Sequence, residues 1–299
     1  MGGGFAMTQQ MMESNLLTPG HLACAGCGAA LAMRYALEAL GPDTIIAMPA
    51  GCWSSFIGIY PYTCLSVPTI SVAFATAAAT ASGIKAGLDI QGKGETTVLA
   101  WAGDGGTFDI GFQALSSVAE RNDDIIYVCY DNEGYMNTGI QRSSATPQGT
   151  WTTTTPSLAL KSQPKKNIVE ILGAHNIPFA ATATIGYPQD FISKLKKAKT
   201  IRGTRFIHVF ASCPTGWRHD PQLSIEVARL AVTSRAFPLY EIIEGETWVL
   251  SSMPDKTTVD KYLDIQGRFK TMSLKSRGEF QRQVDRQWAK LKKKCGINS

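Results

Sequence analysis

Two cysteines separated by two residues stand in a glycine-rich loop near the start of the chain. Cys24 and Cys27 lie in HLACAGCGAA, directly before a segment that predicts a helix. Two further cysteines, Cys52 and Cys213, each follow an apolar run that predicts a strand. Four thiolates brought together from these loops would suit either Zn²⁺ or an iron–sulfur cluster, although a structural zinc site more often pairs two Cys-x-x-Cys units.

Glycines and polar side chains follow two other apolar runs. One run ends in Gly103-Asp104-Gly105-Gly106, and the next ends in Asp131-Asn132-Glu133-Gly134. A carboxylate, an amide oxygen and a backbone carbonyl are the oxygen ligands that Mg²⁺ prefers, and diphosphate oxygens can complete its octahedron. Gly-Asp-Gly alone is also a common turn. An asparagine 28 positions after Asp104, however, is the spacing typical of thiamine diphosphate sites.

The segments between these motifs predict an α/β fold. Apolar runs that predict strands cover 44–50, 96–102, 124–130, 179–185 and 205–211. Stretches that predict helices cover 28–40, 71–89, 109–121, 166–174, 188–199 and 221–235. Apolar strands alternating with helices predict a parallel sheet with helices on both faces, in which ligands bind at the carboxyl ends of the strands. The polar segment 141–165 predicts a long functional loop.

Composition narrows the class of protein. The 299 residues are 44% hydrophobic and 18% charged, which is typical of a packed globular protein. The seven cysteines are unevenly spaced, and the N-terminal segment has no export signal, so we expect reduced thiols and a cytoplasmic protein. Cys64 and Cys129 are interpreted as small buried side chains. The apolar stretch 71–90 is rich in Ala, Thr and Gly, so no membrane span is expected.

The basic charge is concentrated near the C-terminus. The net charge is +5, but residues 270–294 contain nine basic and two acidic residues, so the remainder of the chain is slightly acidic. Phe280, Val284, Trp288 and Leu291 recur at helical spacing in this segment. We expect an amphipathic helix that lies on this subunit or on another, with a partner subunit as the preferred surface, rather than one that binds nucleic acid. The predicted organisation is a flexible leader (1–19), a cofactor domain (20–240) and a C-terminal extension (241–299).

Several long motifs together resemble one enzyme family. They are CAGCG at 24–28, GC at 51–52, GDGGTFDIG at 103–111, YDNEGYMNTGIQRSSATP at 130–147 and Cys213-Pro214. In these motifs the chain is similar to the β subunit of the pyruvate:ferredoxin oxidoreductases, over about residues 20–235. The resemblance implies a thiamine-diphosphate-binding fold that also carries one [4Fe-4S] cluster.

The resemblance also implies roles for individual residues. Cys24, Cys27, Cys52 and Cys213 would bind the cluster, and Asp104, Asn132 and the carbonyl of Gly134 would bind Mg²⁺. Asn137 would face the thiazolium and the substrate as a catalytic residue, whereas its alternative role is that of a turn former beside Gly139. The residues implied to contact thiamine diphosphate are Gly51, Cys52, Gly103, Asp104, Gly105, Gly106, Asn132, Gly134, Asn137 and Thr138.

The implied reaction is the oxidative decarboxylation of pyruvate with coenzyme A, with electrons leaving singly through the cluster to ferredoxin. No glutamate of this chain stands in a motif that could activate thiamine. The resemblance implies that a partner α subunit supplies it, within an enzyme that also has γ and ferredoxin-like δ subunits. Three alternatives remain open: another 2-oxoacid (branched-chain, 2-oxoglutarate or oxalate), a non-redox thiamine enzyme with structural zinc, and a zinc-bearing nucleic-acid-binding protein.

Overall fold

A single mixed sheet of eight strands forms the centre of the molecule. The computed structural model describes residues 15–254 and 257–297. The strands are β1 (Thr44–Pro49), β2 (Thr69–Val72), β3 (Thr97–Gly103), β4 (Ile126–Asp131), β5 (Phe179–Thr184), β6 (Arg205–Phe210), β7 (Tyr240–Ile243) and β8 (Thr247–Leu250). Their order across the sheet is β2-β1-β3-β4-β6-β5-β7-β8. All pairings from β2 to β5 are parallel, and β7 and β8 are antiparallel to their neighbours.

The helices lie on both faces of this sheet. They are α1 (Gly28–Leu40), α2 (Cys52–Phe56), α3 (Ala77–Ile90), α4 (Phe112–Arg121), α5 (Ile168–Gly173), α6 (Pro188–Thr200), α7 (Pro214–Trp217), α8 (Ser224–Thr233), α9 (Val259–Asp264) and α10 (Leu274–Lys294). Helices α1, α6, α8 and α9 pack in one apolar core and α3, α4 and α5 in the other. Alternate residues of the strands point into the two cores, for example Leu99 into the first and Ala100 into the second. The predicted fold class is confirmed.

Several predicted boundaries were wrong in the same way. The segment 71–89 was predicted as one helix, but β2 ends at Val72 and α3 begins at Ala77. The predicted helices at 109–121 and 221–235 begin later, because the π turn Gly105–Asp109 and the 3-10 turn Pro221–Leu223 precede them. In each case the composition of the short first element continues into the helix, so the sequence pattern contains no visible break.

The C-terminal region continues the sheet. The predicted boundary at 240/241 falls inside β7, which pairs with β5. The stripe of α10 is buried against this chain: Phe280 and Val284 pack in the first core, and Trp288 and Leu291 in the second. Of the two expected surfaces, the apolar stripe therefore packs on this subunit and not on a partner, and only the charged remainder of the helix is left for other contacts.

The predicted leader lies largely outside the described residues, which begin at residue 15. Within the described part, Leu17 is buried and pairs with Leu65, and the Thr18 N–H donates to the Cys64 carbonyl at 2.8 Å. Among the described helices, none is long and apolar enough to cross a membrane.

Candidate active site

The strand order places four motif-bearing loops side by side. Strands β1, β3, β4 and β6 are consecutive neighbours in the sheet, and all four are parallel. Their carboxyl ends therefore meet at one edge, which is where ligands bind in such sheets. The loops that follow them carry Cys52, Asp104, Asn132 and Cys213. The sequence motifs are thus gathered at one edge of the sheet by its topology.

A cavity of about 210 Å³ opens at this edge between the loops. All ten residues predicted to contact the cofactor line it. Five further lining residues were missed from the sequence: Ala50, Phe74, Tyr130, Tyr135 and Met136. Three of them stand inside the motif YDNEGYMN, so their closeness to predicted residues could have indicated them. Phe74 follows strand β2, which was not predicted, and no sequence signal indicated it.

The glycines after β3 allow an aromatic ring to pack on the turn. A Cβ atom at Gly105 would lie 2.3 Å from Cε1 of Tyr135, which is far inside contact distance. The Tyr135 hydroxyl donates to Oδ2 of Asp109 at 2.7 Å and so fixes the ring across the turn. Glycine at this position is therefore required by the close approach of Tyr135 to the backbone.

Three polar groups lie close together in the cavity. One terminal atom of the Asn132 amide lies 3.0 Å from Oδ1 of Asp104 and 3.0 Å from the carbonyl oxygen of Gly134, and the hydrogen bonding is satisfied when this atom is the nitrogen, which donates to both oxygens. A cation bound among these groups would instead favour the amide orientation that presents the oxygen. Adjacent ligands of an octahedral Mg²⁺ ion, each about 2.1 Å from the metal, are about 3.0 Å apart. The spacing of these groups is therefore compatible with a magnesium ion once the Asn132 amide presents its oxygen.

Asp104 is buried in a way that favours a bound cation. Its carboxylate is 1% exposed, and Oδ2 accepts a hydrogen bond from the Ser143 hydroxyl at 2.5 Å. Burial raises the pKa of Asp104 well above its usual value, and the nearby Asp131 raises it further. A divalent cation at the three oxygens would reverse this effect by stabilising the charged carboxylate. Ser143 was not predicted as a site residue, although it lies in the quoted motif QRSSATP.

Asn137 lies on the rim of the cavity and faces α2. Its Oδ1 atom is 3.2 Å from the Ser55 hydroxyl, which donates to it. This contact leaves the two N–H donors of the Asn137 amide available to a ligand in the cavity. Ser55 was missed because a serine three residues after Cys52 has no distinguishing sequence signal.

The four predicted thiols come together beside this cavity. The loop that contains Cys24 and Cys27 is held to the β6 end by the Gly28 N–H, which donates to the Ser212 carbonyl at 3.0 Å. It is held to the end of α2 by the Leu22 N–H, which donates to the Phe56 carbonyl at 3.0 Å. The cysteines that begin α2 and precede α7 are therefore neighbours of the Cys-x-x-Cys loop.

Burial, together with the smaller effect of the nearby Cys213, Cys27 and Cys24, raises the pKa of Cys52 to about 12. Burial also raises the pKa of Cys213 to about 11, where the Gly216 N–H opposes it by donating to Sγ at 3.3 Å. The thiols are therefore close enough to repel one another as thiolates. Cys64 and Cys129 are buried, as predicted.

Within the described residues, no three His, Cys, Asp or Glu side chains are grouped as ligands of a single metal ion. A four-iron cluster separates its thiolate ligands more widely than one ion does, because each cysteine binds a different iron atom.

Comparison with known proteins identifies the family of this chain. The family described as "Thiamine pyrophosphate enzyme, C-terminal TPP binding domain" matches residues 49–209. The chain is 50% identical to the ketoisovalerate oxidoreductase subunit VorB of Pyrococcus horikoshii, over 92% of this chain and 91% of that protein. It is 46% identical to the pyruvate synthase subunit PorB of Methanothermobacter marburgensis, over 91% of this chain and 96% of that protein.

The chain belongs to the 2-oxoacid:ferredoxin oxidoreductase family. It is a β-type subunit of such an enzyme, with the thiamine-diphosphate-binding domain of the family. The 2-oxoglutarate:ferredoxin oxidoreductase from Magnetococcus marinus has the same fold, with a TM-score of 0.58 over 73% of this chain and 79% of that chain, at 22% identity. The family and the fold predicted from the sequence are confirmed.

Proposed function

We propose that this subunit binds thiamine diphosphate through a magnesium ion and takes part in the oxidative decarboxylation of pyruvate by a 2-oxoacid:ferredoxin oxidoreductase. The observation that carries the proposal is the position of the Asn132 amide, which lies 3.0 Å from both Oδ1 of Asp104 and the carbonyl oxygen of Gly134. These three groups would hold Mg²⁺, and the diphosphate would complete the octahedron. When bound, thiamine diphosphate supplies the electron sink that decarboxylation of a 2-oxoacid requires.

The residues that line the cavity would have separate roles. Gly103, Gly105 and Gly106 let the backbone approach Tyr130, Tyr135 and Phe74, three aromatic residues that line the cavity. Asn137, with its carbonyl oxygen facing Ser55, would direct its N–H donors at the thiazolium and the substrate. None of the described residues that line the cavity is a glutamate. The activating glutamate and part of the substrate pocket would therefore come from a partner α subunit.

The four neighbouring thiols support a second cofactor. Cys24, Cys27, Cys52 and Cys213 would bind one [4Fe-4S] cluster, whose role is to accept electrons singly beside the cofactor cavity. Electrons would continue to a ferredoxin-like δ subunit and then to soluble ferredoxin, in a cytoplasmic enzyme that also has a γ subunit and uses coenzyme A. The alternative is that the cluster next to thiamine belongs to another subunit, and iron analysis of this chain distinguishes the two arrangements.

The preferred 2-oxoacid is proposed from the motifs. The run from Tyr130 to Pro147 resembles that of the pyruvate enzymes. A branched-chain 2-oxoacid is the second candidate, because relatives that are 47 to 50% identical carry the name ketoisovalerate oxidoreductase. Both candidates use the same cofactor site and differ only in the space left for the substrate side chain.

The assembled enzyme, purified without oxygen, provides the test. We expect thiamine diphosphate to be lost on chelation of Mg²⁺ and regained when Mg²⁺ and cofactor are returned. We also expect reduction of ferredoxin with a higher kcat/KM for pyruvate than for 2-oxo-3-methylbutanoate or 2-oxoglutarate. Cofactor binding that is indifferent to Mg²⁺ would overturn the metal site, and a higher kcat/KM for the branched-chain acid would replace pyruvate with the second candidate.

A further inference from the structure

Glu133 has a left-handed backbone conformation between two of the proposed magnesium ligands. Its φ angle is +62°, a conformation that residues other than glycine adopt infrequently and with strain. Glu133 stands between Asn132 and Gly134 in the sequence. Its backbone angles therefore decide whether the Asn132 side chain and the Gly134 carbonyl group can reach the same metal ion. The geometry of the proposed metal site therefore depends on this strained residue.

The backbone of Glu133 is held on both sides. Its N–H donates to Oδ1 of Asp131 at 2.8 Å. Its carbonyl oxygen accepts a hydrogen bond from the Thr146 hydroxyl at 2.7 Å. These contacts fix the peptide groups, but they do not involve the side chain.

Glu133 is buried, with 3% of its surface exposed. One of its carboxylate oxygens lies 2.7 Å from Nζ of Lys165, and the other lies 2.6 Å from Nη2 of Arg268. The carboxylate is thus paired with two cations in a buried environment, where removal of one partner is costly. Lys165 also pairs with Asp131. Among the described ion pairs, Arg268 pairs with no carboxylate other than that of Glu133.

Arg268 is itself rigidly placed. Its side chain is fully buried, and Cζ lies 3.9 Å from the centroid of the Trp217 indole ring. Its Nε donates to Oε1 of Gln266 at 2.9 Å, and its carbonyl oxygen accepts from the Trp151 N–H at 3.0 Å. The residue stands in a 3-10 turn, Gly267–Phe269, outside the segment 49–209 that matches the thiamine pyrophosphate family. An anchored cation from the C-terminal region thus reaches the loop after β4.

We infer that Arg268 is a positioning residue for the magnesium site: by pairing with the Glu133 carboxylate it keeps this residue left-handed and so aims the Asn132 and Gly134 oxygens at the metal. This inference rests on the proposed function. Arg268 touches neither the metal nor the cofactor in this account. A purely structural ion pair would contribute to folding without affecting the affinity for Mg²⁺.

The test is a Mg²⁺ titration of thiamine diphosphate binding by the assembled enzyme, followed by equilibrium dialysis, together with calorimetric unfolding. We call the Mg²⁺ concentration that gives half-maximal binding of thiamine diphosphate the Mg²⁺ requirement. For Arg268→Met we expect this concentration to rise roughly 10- to 100-fold, the range for residues that orient metal ligands. Arg268→Lys keeps the charge but loses the planar fork, and we expect an intermediate requirement. The matched control is Arg205→Met, which removes a buried arginine paired with Asp124 at the opposite edge of the sheet and should leave the requirement within about twofold.

A second-site change separates positioning from stability. Glycine adopts positive φ without strain and has no carboxylate to leave unpaired. We therefore expect Glu133→Gly, added to Arg268→Met, to restore most of the affinity for Mg²⁺. A merely structural role predicts lower stability in Arg268→Met with an unchanged Mg²⁺ requirement, and no such rescue.

The outcomes are distinguishable from failure of the proposed function. If the unmodified enzyme binds thiamine diphosphate without Mg²⁺, the proposed metal site itself is wrong. If the unmodified enzyme requires Mg²⁺ and Arg268→Met has the same requirement, the positioning role is wrong and the metal site stands. If Arg268→Met does not assemble, Arg268→Lys and the isosteric Glu133→Gln decide, and an unchanged requirement in both overturns the inference.

Discussion

The indole N–H of Trp217 donates to the carbonyl oxygen of Asn132 at 2.7 Å. Trp217 ends the short helix that begins directly after Cys213, and Asn132 follows β4. One hydrogen bond therefore joins the short helix that follows Cys213, a proposed cluster ligand, to the backbone of Asn132, a proposed magnesium ligand. A change in one of these two loops should therefore be measurable in the other.

Trp217→Phe tests this connection. The substitution removes the N–H donor and leaves most of the aromatic packing, and the Asn132 carbonyl loses a buried partner. We expect thiamine diphosphate to bind about 3- to 10-fold more weakly, which corresponds to about 0.7 to 1.4 kcal/mol. We also expect the EPR spectrum of the reduced cluster to shift. Phe206→Leu, a change in the second core away from this loop, should leave both the affinity and the spectrum unchanged.

Asp104→Asn tests the proposed magnesium site. The amide keeps the size of the side chain but removes the negative charge that would bind the cation. We expect retention of thiamine diphosphate to fall by at least about 100-fold, or about 2.7 kcal/mol, while iron content stays unchanged. Asp123→Asn, at the other edge of the sheet, serves as the control. Stoichiometric cofactor in the Asp104 variant would show that another group holds the metal.

Cys213→Ser tests the proposed four-cysteine site. Cys213 is 189 positions from Cys24 in the sequence. We nevertheless expect Cys213→Ser and Cys24→Ser to damage the same cluster. Iron analysis and low-temperature EPR of the reduced enzyme provide the measurement. Cys64→Ser and Cys129→Ser are controls that should keep the cluster signal. An intact signal in Cys213→Ser would contradict the ligand assignment.

Ser55→Ala tests the orientation of Asn137. Loss of the donor to Oδ1 leaves the amide free to turn over, so its N–H groups would face the substrate for only part of the time. One such hydrogen bond contributes about 0.5 to 1.5 kcal/mol, and we expect kcat to fall about 2- to 10-fold with little change in thiamine diphosphate affinity. Ser55→Thr keeps the hydroxyl and should restore the rate. Equal rates for Ser55→Ala and the unmodified enzyme would show that the Ser55 hydroxyl does not orient Asn137.

Trp288→Ala tests the packing of α10. Trp288 is 5% exposed, and the Arg235 guanidinium lies 4.8 Å from its ring centroid. Truncation of a buried tryptophan costs about 3 to 5 kcal/mol, so the melting temperature of this subunit should fall by several degrees. Arg286→Ala, on the exposed face of the same helix, should have little effect. Subunit assembly that fails while the melting temperature is unchanged would restore the docking role predicted for the apolar stripe.

The sequence by itself determined the parts that depend on local pattern. Five strands could be placed because their apolar runs are buried on both faces, and glycines and polar residues mark where they end. Strands β7 and β8 were missed because they are short, alternate in burial and contain charged or exposed residues. Most candidate ligands follow a strand end, where side chains face the ligand edge, whereas Cys24 and Cys27 precede α1 and were identified by their Cys-x-x-Cys spacing.

Only the tertiary structure decided which of these residues meet. The order β1-β3-β4-β6, which places Cys52, Asp104, Asn132 and Cys213 at one edge, results from packing of two helical layers on the sheet. The pairing of Arg268 with Glu133 joins residues 135 positions apart. No periodicity signals such a contact, since the position of Arg268 is set by its stacking on Trp217 and by the turn that precedes α10. The left-handed conformation of Glu133 likewise depends on partners that only the folded chain brings to it.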